Sequence, residues 1–148
     1  MRVVVQEAPF DFGGEAEAFA KGAAGAGAVV TFTGLVREAD GGAMAVMEIE
    51  HYPGMTQKAL EKIATEAIRR WQLTDALVIH RYGRLAPGDQ IMMVATAARH
   101  RVAAFEAAEY LMDYLKSRAP FWKKEVLADG AAEWVAAKDV DEDALSRW

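Results

Sequence analysis

Residues 91–128 read IMMVATAARHRVAAFEAAEYLMDYLKSRAPFWKKEVLA, and this stretch decides the fold class. Ile91 to Ala97 is a short apolar run of strand length. Val102 to Arg118 places Phe105, Ala108, Leu111, Met112 and Leu115 at helical spacing, the stripe of a helix lying on a core. Pro120 ends that helix, because it lacks an N–H and restricts Ala119 before it. Phe121 to Ala128 and Glu133 to Ala137 then read as two strands joined at Asp129-Gly130, a favoured hairpin dipeptide. A strand, a long helix and a hairpin are not the strict alternation of a doubly wound sheet.

Upstream the pattern is similar. Arg2 to Val5 reads as an edge strand and Glu15 to Lys21 as a short helix. Lys21 to Gly27 (KGAAGAG) is a helix end followed by a loop. Ala28 to Val36 (AVVTFTGLV) is a β-branched strand, and Arg37 to Gly42 (READGG) a turn or loop. Met44 to Tyr52 (MAVMEIEHY) alternates near its end, so it has one wet face. Thr56 reads as the N-cap of a helix to about Trp71, with Leu60, Ile63, Ala64, Ala67 and Ile68 inward. Ala76 to Tyr82 is a further strand, Gly83 to Asp89 a connection, and Asp141 to Trp148 a last helical turn or two. The sum is one α+β domain over residues 1–148, with two long helices on one face of a largely antiparallel sheet.

Bulk properties narrow the function. The 148 residues are 53% hydrophobic and 26% charged, an ordinary globular composition. Cysteine is absent, which excludes disulfides, thiolate metal sites and a cysteine nucleophile. No run approaches a membrane span, the start lacks a signal peptide, and a soluble cytoplasmic protein is expected. The net charge of −5 disfavours broad nucleic-acid binding. Against that charge, Tyr114 to Lys124 holds Lys116, Arg118, Lys123 and Lys124 without an acid. Such a local basic patch suits a small anionic ligand.

Lys116, in the last helical turn, and Lys123, just past Pro120, are the leading candidates. Two ammonium groups in one half-dry pocket repel, which lowers their pKa and suits proton transfer or phosphate binding. The alternative is a pair of solvated cations, one of them placed by the helix C-terminus. Phe121 and Trp122 could stack on a flat heterocycle, although core packing is the commoner use. His100 and Arg101 sit at a helix start, a position that favours anions. Arg37, at a strand end, is a candidate phosphate ligand. His80-Arg81, inside a strand, reads as structural or interfacial. Glu48 and Glu50 share one strand face and His51 the other, and the three histidines have no ligand spacing, so neither metal nor cofactor is expected.

Taken together, AVVTFTGLVR (28–37), EHYPGM (50–55), HRYG (80–83), PGD (87–89), His100-Arg101 and MDYLKSRAPFWKK (112–124) resemble the large-subunit family of molybdopterin synthase, often called MoaE. The resemblance covers roughly residues 28–125. It implies an α/β hammerhead-type fold with a small β subdomain, and a heterotetramer built on a homodimer of this chain. It also implies a small ubiquitin-like partner whose Gly-Gly thiocarboxylate tail enters a pocket here. The implied substrate is cyclic pyranopterin monophosphate, which receives two sulfurs to form a dithiolene. By the same resemblance Lys116 and Lys123 are the essential lysines, and Arg37, His100 and Arg101 are substrate-pocket residues, the last two expected to serve a neighbouring subunit's site because the family pocket lies at the dimer interface. Phe32, Phe121 and Trp122 are guesses for the lining of the tail groove. Two other readings are a non-catalytic docking module and a phosphoester hydrolase acting through His100.

Overall fold

A computed structural model describes residues 1–38, 44–136 and 138–148. Four strands form the first sheet: β1 (Arg2–Gln6), β2 (Ala28–Leu35), β4 (Asp75–Arg81) and β6 (Gln90–Ala98). They lie in the order β1-β4-β6-β2. β1 runs parallel to β4, and the other pairs are antiparallel. Alternate side chains of β4 and β6 serve two different cores. Ala76, Val78, Met92, Val94 and Ala98 face the helices α2 (Met55–Trp71) and α3 (Arg101–Ser117). Leu77, Ile79, Met93, Ala95 and Ala97 face the opposite way, under Phe19 and Ala23 of α1 (Phe12–Gly22) and its C-cap. Covering both faces explains why these central strands read as unbroken apolar runs instead of alternating ones.

A second, all-antiparallel sheet has the order β5-β3-β7-β8, from β3 (Met44–His51), β5 (Gly83–Leu85), β7 (Phe121–Leu127) and β8 (Ala132–Trp134). Its small core is Val36, Met47, Ile49 and Leu85. Ile91 and Phe121 pack against both this core and the helix-covered one, and so join the two sheets. The architecture is the expected α+β one, with two long helices on a mostly antiparallel sheet and a smaller β unit beside it.

Several local expectations need correction. The N-cap of α2 is Gly54, at φ 82°, not Thr56. Thr56 is fully buried, and its hydroxyl donates to the Tyr52 carbonyl at 2.8 Å, so it fastens the helix start to the residue just past β3. Phe105 is 61% exposed; the inward stripe of α3 is Ala104, Ala107, Ala108, Leu111 and Leu115. Small alanines, not the large aromatic, face the sheet because the helix lies close to it. Gly83 to Asp89 is not only a connection, since its first three residues pair with β3. The hairpin forms at Asp129-Gly130, with Gly130 at φ 88°, but its second strand spans only Ala132–Trp134. The loop expected over Arg37 to Gly42 falls largely on residues 39–43, outside the described residues.

The chain closes with α4 (Asp139–Leu145), which packs on α3. Arg147 pairs with Glu109 and Asp113, and the Trp148 indole N–H donates to Asp113 at 2.7 Å.

Candidate active site

The lysines converge because of how α3 ends. The Arg118 N–H closes the last turn onto the Tyr114 carbonyl at 2.7 Å, and Pro120 forbids a further turn. The chain reverses into β7, whose register against β3 is fixed by His51 opposite Phe121 and Ile49 opposite Lys123. Period-two geometry then puts Phe121, Lys123 and Glu125 on one face. Lys124 faces the other way, 3.6 Å from Glu48 and 5.1 Å from the Trp134 ring.

That face of β7 walls a cavity of about 700 Å³ that also takes in Arg37, His80, Leu115, Lys116, Trp134 and Asp141. Lys116 and Lys123 thus share one pocket, as expected. Burial first and the Lys116 ammonium second, opposed by Asp141, bring the Lys123 pKa down to about 8. An ammonium with a pKa of about 8 is still mostly charged at neutral pH, so it holds an anion, and is acidic enough to exchange a proton.

Phe121 and Trp122 divide the two uses foreseen for them. Phe121 is core, its ring stacked on His80 at 3.7 Å and 16°. Trp122 is 44% exposed and meets Tyr52 edge-on at 5.3 Å. Phe32 is exposed on β2 and is not part of the cavity wall. His100 and Arg101 are also elsewhere. His100 is the N-cap of α3 and Arg101 its first residue, both exposed. Fifteen residues of helix separate Arg101 from Lys116, about 22 Å at the usual rise. Within one chain these two do not reach the lysine pocket.

Sequence reasoning missed His80, Glu125, Lys138 and Asp141. The last two come from the C-terminal segment, which Ser117 holds by donating its hydroxyl to the Asp141 carbonyl at 3.1 Å. His80 was legible only as a strand residue; nothing local shows that the strand's end abuts β7. His51 lies on the face opposite Glu48 and Glu50, its ring 4.4 Å from Tyr82, with Nδ1 3.3 Å from the Thr56 hydroxyl.

Comparison with known proteins fits this geometry. The model of the MoaE protein family matches residues 5–118. The molybdopterin synthase catalytic subunit of Cereibacter sphaeroides is 70% identical over 148 residues, covering all of both chains. That of Ralstonia nicotianae is 57% identical over 145 residues, 97% of this chain and 82% of the relative. Among solved structures, the molybdopterin biosynthesis MoaE protein of Burkholderia ambifaria superposes with a TM-score of 0.82 at 51% identity, covering 99% of this chain and 97% of that one. Lys123 lies past the family model but inside the full-length matches, so the whole lysine pocket falls within the shared sequence. The chain belongs to the MoaE family.

Proposed function

We propose that this chain is the catalytic subunit of a molybdopterin synthase and works in the cytoplasm. It moves sulfur from the C-terminal thiocarboxylate of a small ubiquitin-like subunit to cyclic pyranopterin monophosphate, building the dithiolene in two transfers. The observation that carries the reading is the pocket shared by Lys116 and Lys123, in a chain 70% identical end to end to a catalytic subunit. The word subunit in that relative's name supports a partner. A chain without cysteine needs its sulfur delivered, and a thiocarboxylate tail delivers it.

The chemistry asks for cations and a mobile proton. The thiocarboxylate and the phosphate are both anions. Once the sulfur has bonded to the pterin, charge builds on the acyl oxygen as water attacks that carbon, the C–S bond breaks and the tail leaves as a carboxylate. Lys116 and Lys123 hold that charge, and Lys123 supplies or takes the proton as the cyclic phosphate opens. Arg37, which lines the same cavity, binds the phosphate oxygens. His100 and Arg101, a helix length away, serve the site of the neighbouring subunit in a homodimer.

Reconstitution tests this directly. The protein is mixed with thiocarboxylated small subunit and cyclic pyranopterin monophosphate, and molybdopterin is followed as its oxidised fluorescent derivative. Lys116→Ala and Lys123→Ala should each lose about 10²-fold or more in rate, the scale of a positioned proton-transfer group. A folded wild type that binds the small subunit yet makes no product would leave a docking module instead. Turnover without any partner would point to the hydrolase.

A further inference from the structure

His80 is nearly shut off from solvent, yet it lines the lysine cavity. Three contacts fix what it can offer there. Its Nδ1 lies 2.8 Å from the Arg81 backbone carbonyl. A carbonyl only accepts, so Nδ1 carries the proton and donates it. The ring is clamped against Phe121 at 3.7 Å, nearly parallel, so it cannot flip to exchange its nitrogens. The remaining nitrogen, Nε2, has no partner in the fold among the described residues. No sealed side-chain nitrogen or oxygen among them lacks a partner either, so Nε2 opens onto the cavity.

Protonation cannot turn Nε2 into a donor. Burial is the main reason, with the Lys123, His51 and Lys116 charges adding to it, and the imidazole pKa falls to about 3. The Arg81 carbonyl pulls the other way and is outweighed. The cavity therefore holds two kinds of recognition. Lys116, Lys123 and Arg37 take an anion. His80, stacked on the Phe121 ring, offers a fixed neutral acceptor that suits a hydrogen-bond donor on the edge of a flat heterocycle.

We propose that His80 is a specificity residue of this pocket, whose Nε2 accepts a hydrogen bond from an N–H on the edge of the pterin ring. This rests on the synthase reading for the identity of the heterocycle. It separates the pocket into an anion end, which any phosphate satisfies, and a donor-reading end, which only a ring with edge N–H groups satisfies. A ligand without that donor would leave Nε2 unpaired in a desolvated place.

Nitrogen-15 imidazole correlations on the wild type test this without any mutation. The free protein should show His80 as the Nδ1–H tautomer, unprotonated from pH 5 to 9 (roughly two units or more above its pKa). Saturating cyclic pyranopterin monophosphate should move the Nε2 resonance in the direction of an accepted hydrogen bond. Kinetics give the second arm. His80→Phe keeps the ring against Phe121 but removes the acceptor, and should raise KM for the pterin about tenfold, the scale of one hydrogen bond. Its kcat and its KM for the small subunit should stay near wild type. His80→Gln, whose amide oxygen reaches close to the Nε2 position, should recover most of the loss. A bound pterin that leaves Nε2 unmoved, equal losses in both variants, or a loss confined to KM for the small subunit would overturn the proposal. A pterin that binds and shifts Nε2 without being sulfurated would uphold it while sinking the synthase reading. Turnover with Nε2 unmoved would do the reverse.

Discussion

At the scale of one residue, Lys123 sets function against stability. Its folded pKa is about 8, against an ordinary 10.5, so burial of the ammonium costs free energy whenever the amine is charged. Between those values the unfolded chain holds a proton that the folded chain has released. Stability therefore rises with pH across that window, and the penalty is complete below about pH 8. Lys123→Met removes the charge at similar length. It should raise the unfolding midpoint at pH 7, with a gain of up to roughly 3 kcal/mol, while abolishing turnover. Thermal melts at pH 7 and pH 10.5 check this, because the gain should shrink at the higher pH. Lys116 lowers the same pKa, so Lys116→Gln should move the Lys123 limb of the pH–rate profile upward. If Lys123 works as an acid, that limb is the alkaline one.

Among the elements, α3 shows what a sequence can and cannot fix. Its length, its stop at Pro120 and most of its stripe were legible, because spacing and a proline act locally. Its phase around Phe105 was not. An aromatic side chain suggests burial, but the sheet lies so close that Ala104, Ala107 and Ala108 fill the contact. The two positions should separate in unfolding experiments on the isolated subunit. Leu111→Ala, at a fully buried site, should cost about 2–5 kcal/mol. Phe105→Ala should stay within about 0.5 kcal/mol, as for an exposed position. The start of α2 teaches the same lesson. Threonine before an apolar stripe reads as a cap, yet Thr56 is drawn inward by the Tyr52 carbonyl and Gly54 takes the cap position. The two lysines were legible because Arg101–Ser117 forms one helix whose end, at Pro120, fixes them. His80 was not, since its place in the pocket depends on a β4 end meeting β7, forty residues onward.

The whole molecule places its pocket where two sheets and a terminal helix meet. β7 and His80 supply one wall, the end of α3 another, and Lys138 and Asp141 at the start of α4 a third. The third wall is held from a distance. Trp148 packs edge-on against Trp71 at 5.6 Å and Tyr110 at 5.8 Å, under the Arg70 guanidinium. Trp148→Ala should destabilise the fold by about 1–3 kcal/mol, below the range for a fully buried tryptophan because the residue is only half-buried. It should also loosen Asp141 and so drop the Lys123 pKa further, since Asp141 is the group that raises it. Calorimetry and the pH–rate profile of the same variant read the two effects separately.

The length of α3 carries one more consequence. A helix of 17 residues joins Arg101 and His100 at one end to Lys116 at the other. Adding one residue to a helix turns everything beyond it by about 100° and advances it about 1.5 Å. An inserted alanine in the middle of α3 would therefore leave both ends chemically intact and aim one of them at the wrong wall. The helix behaves as a gauge bar: under the proposed site shared between two subunits, insertions that a surface loop absorbs without effect would here cost that site its alignment, with every contributing side chain still present.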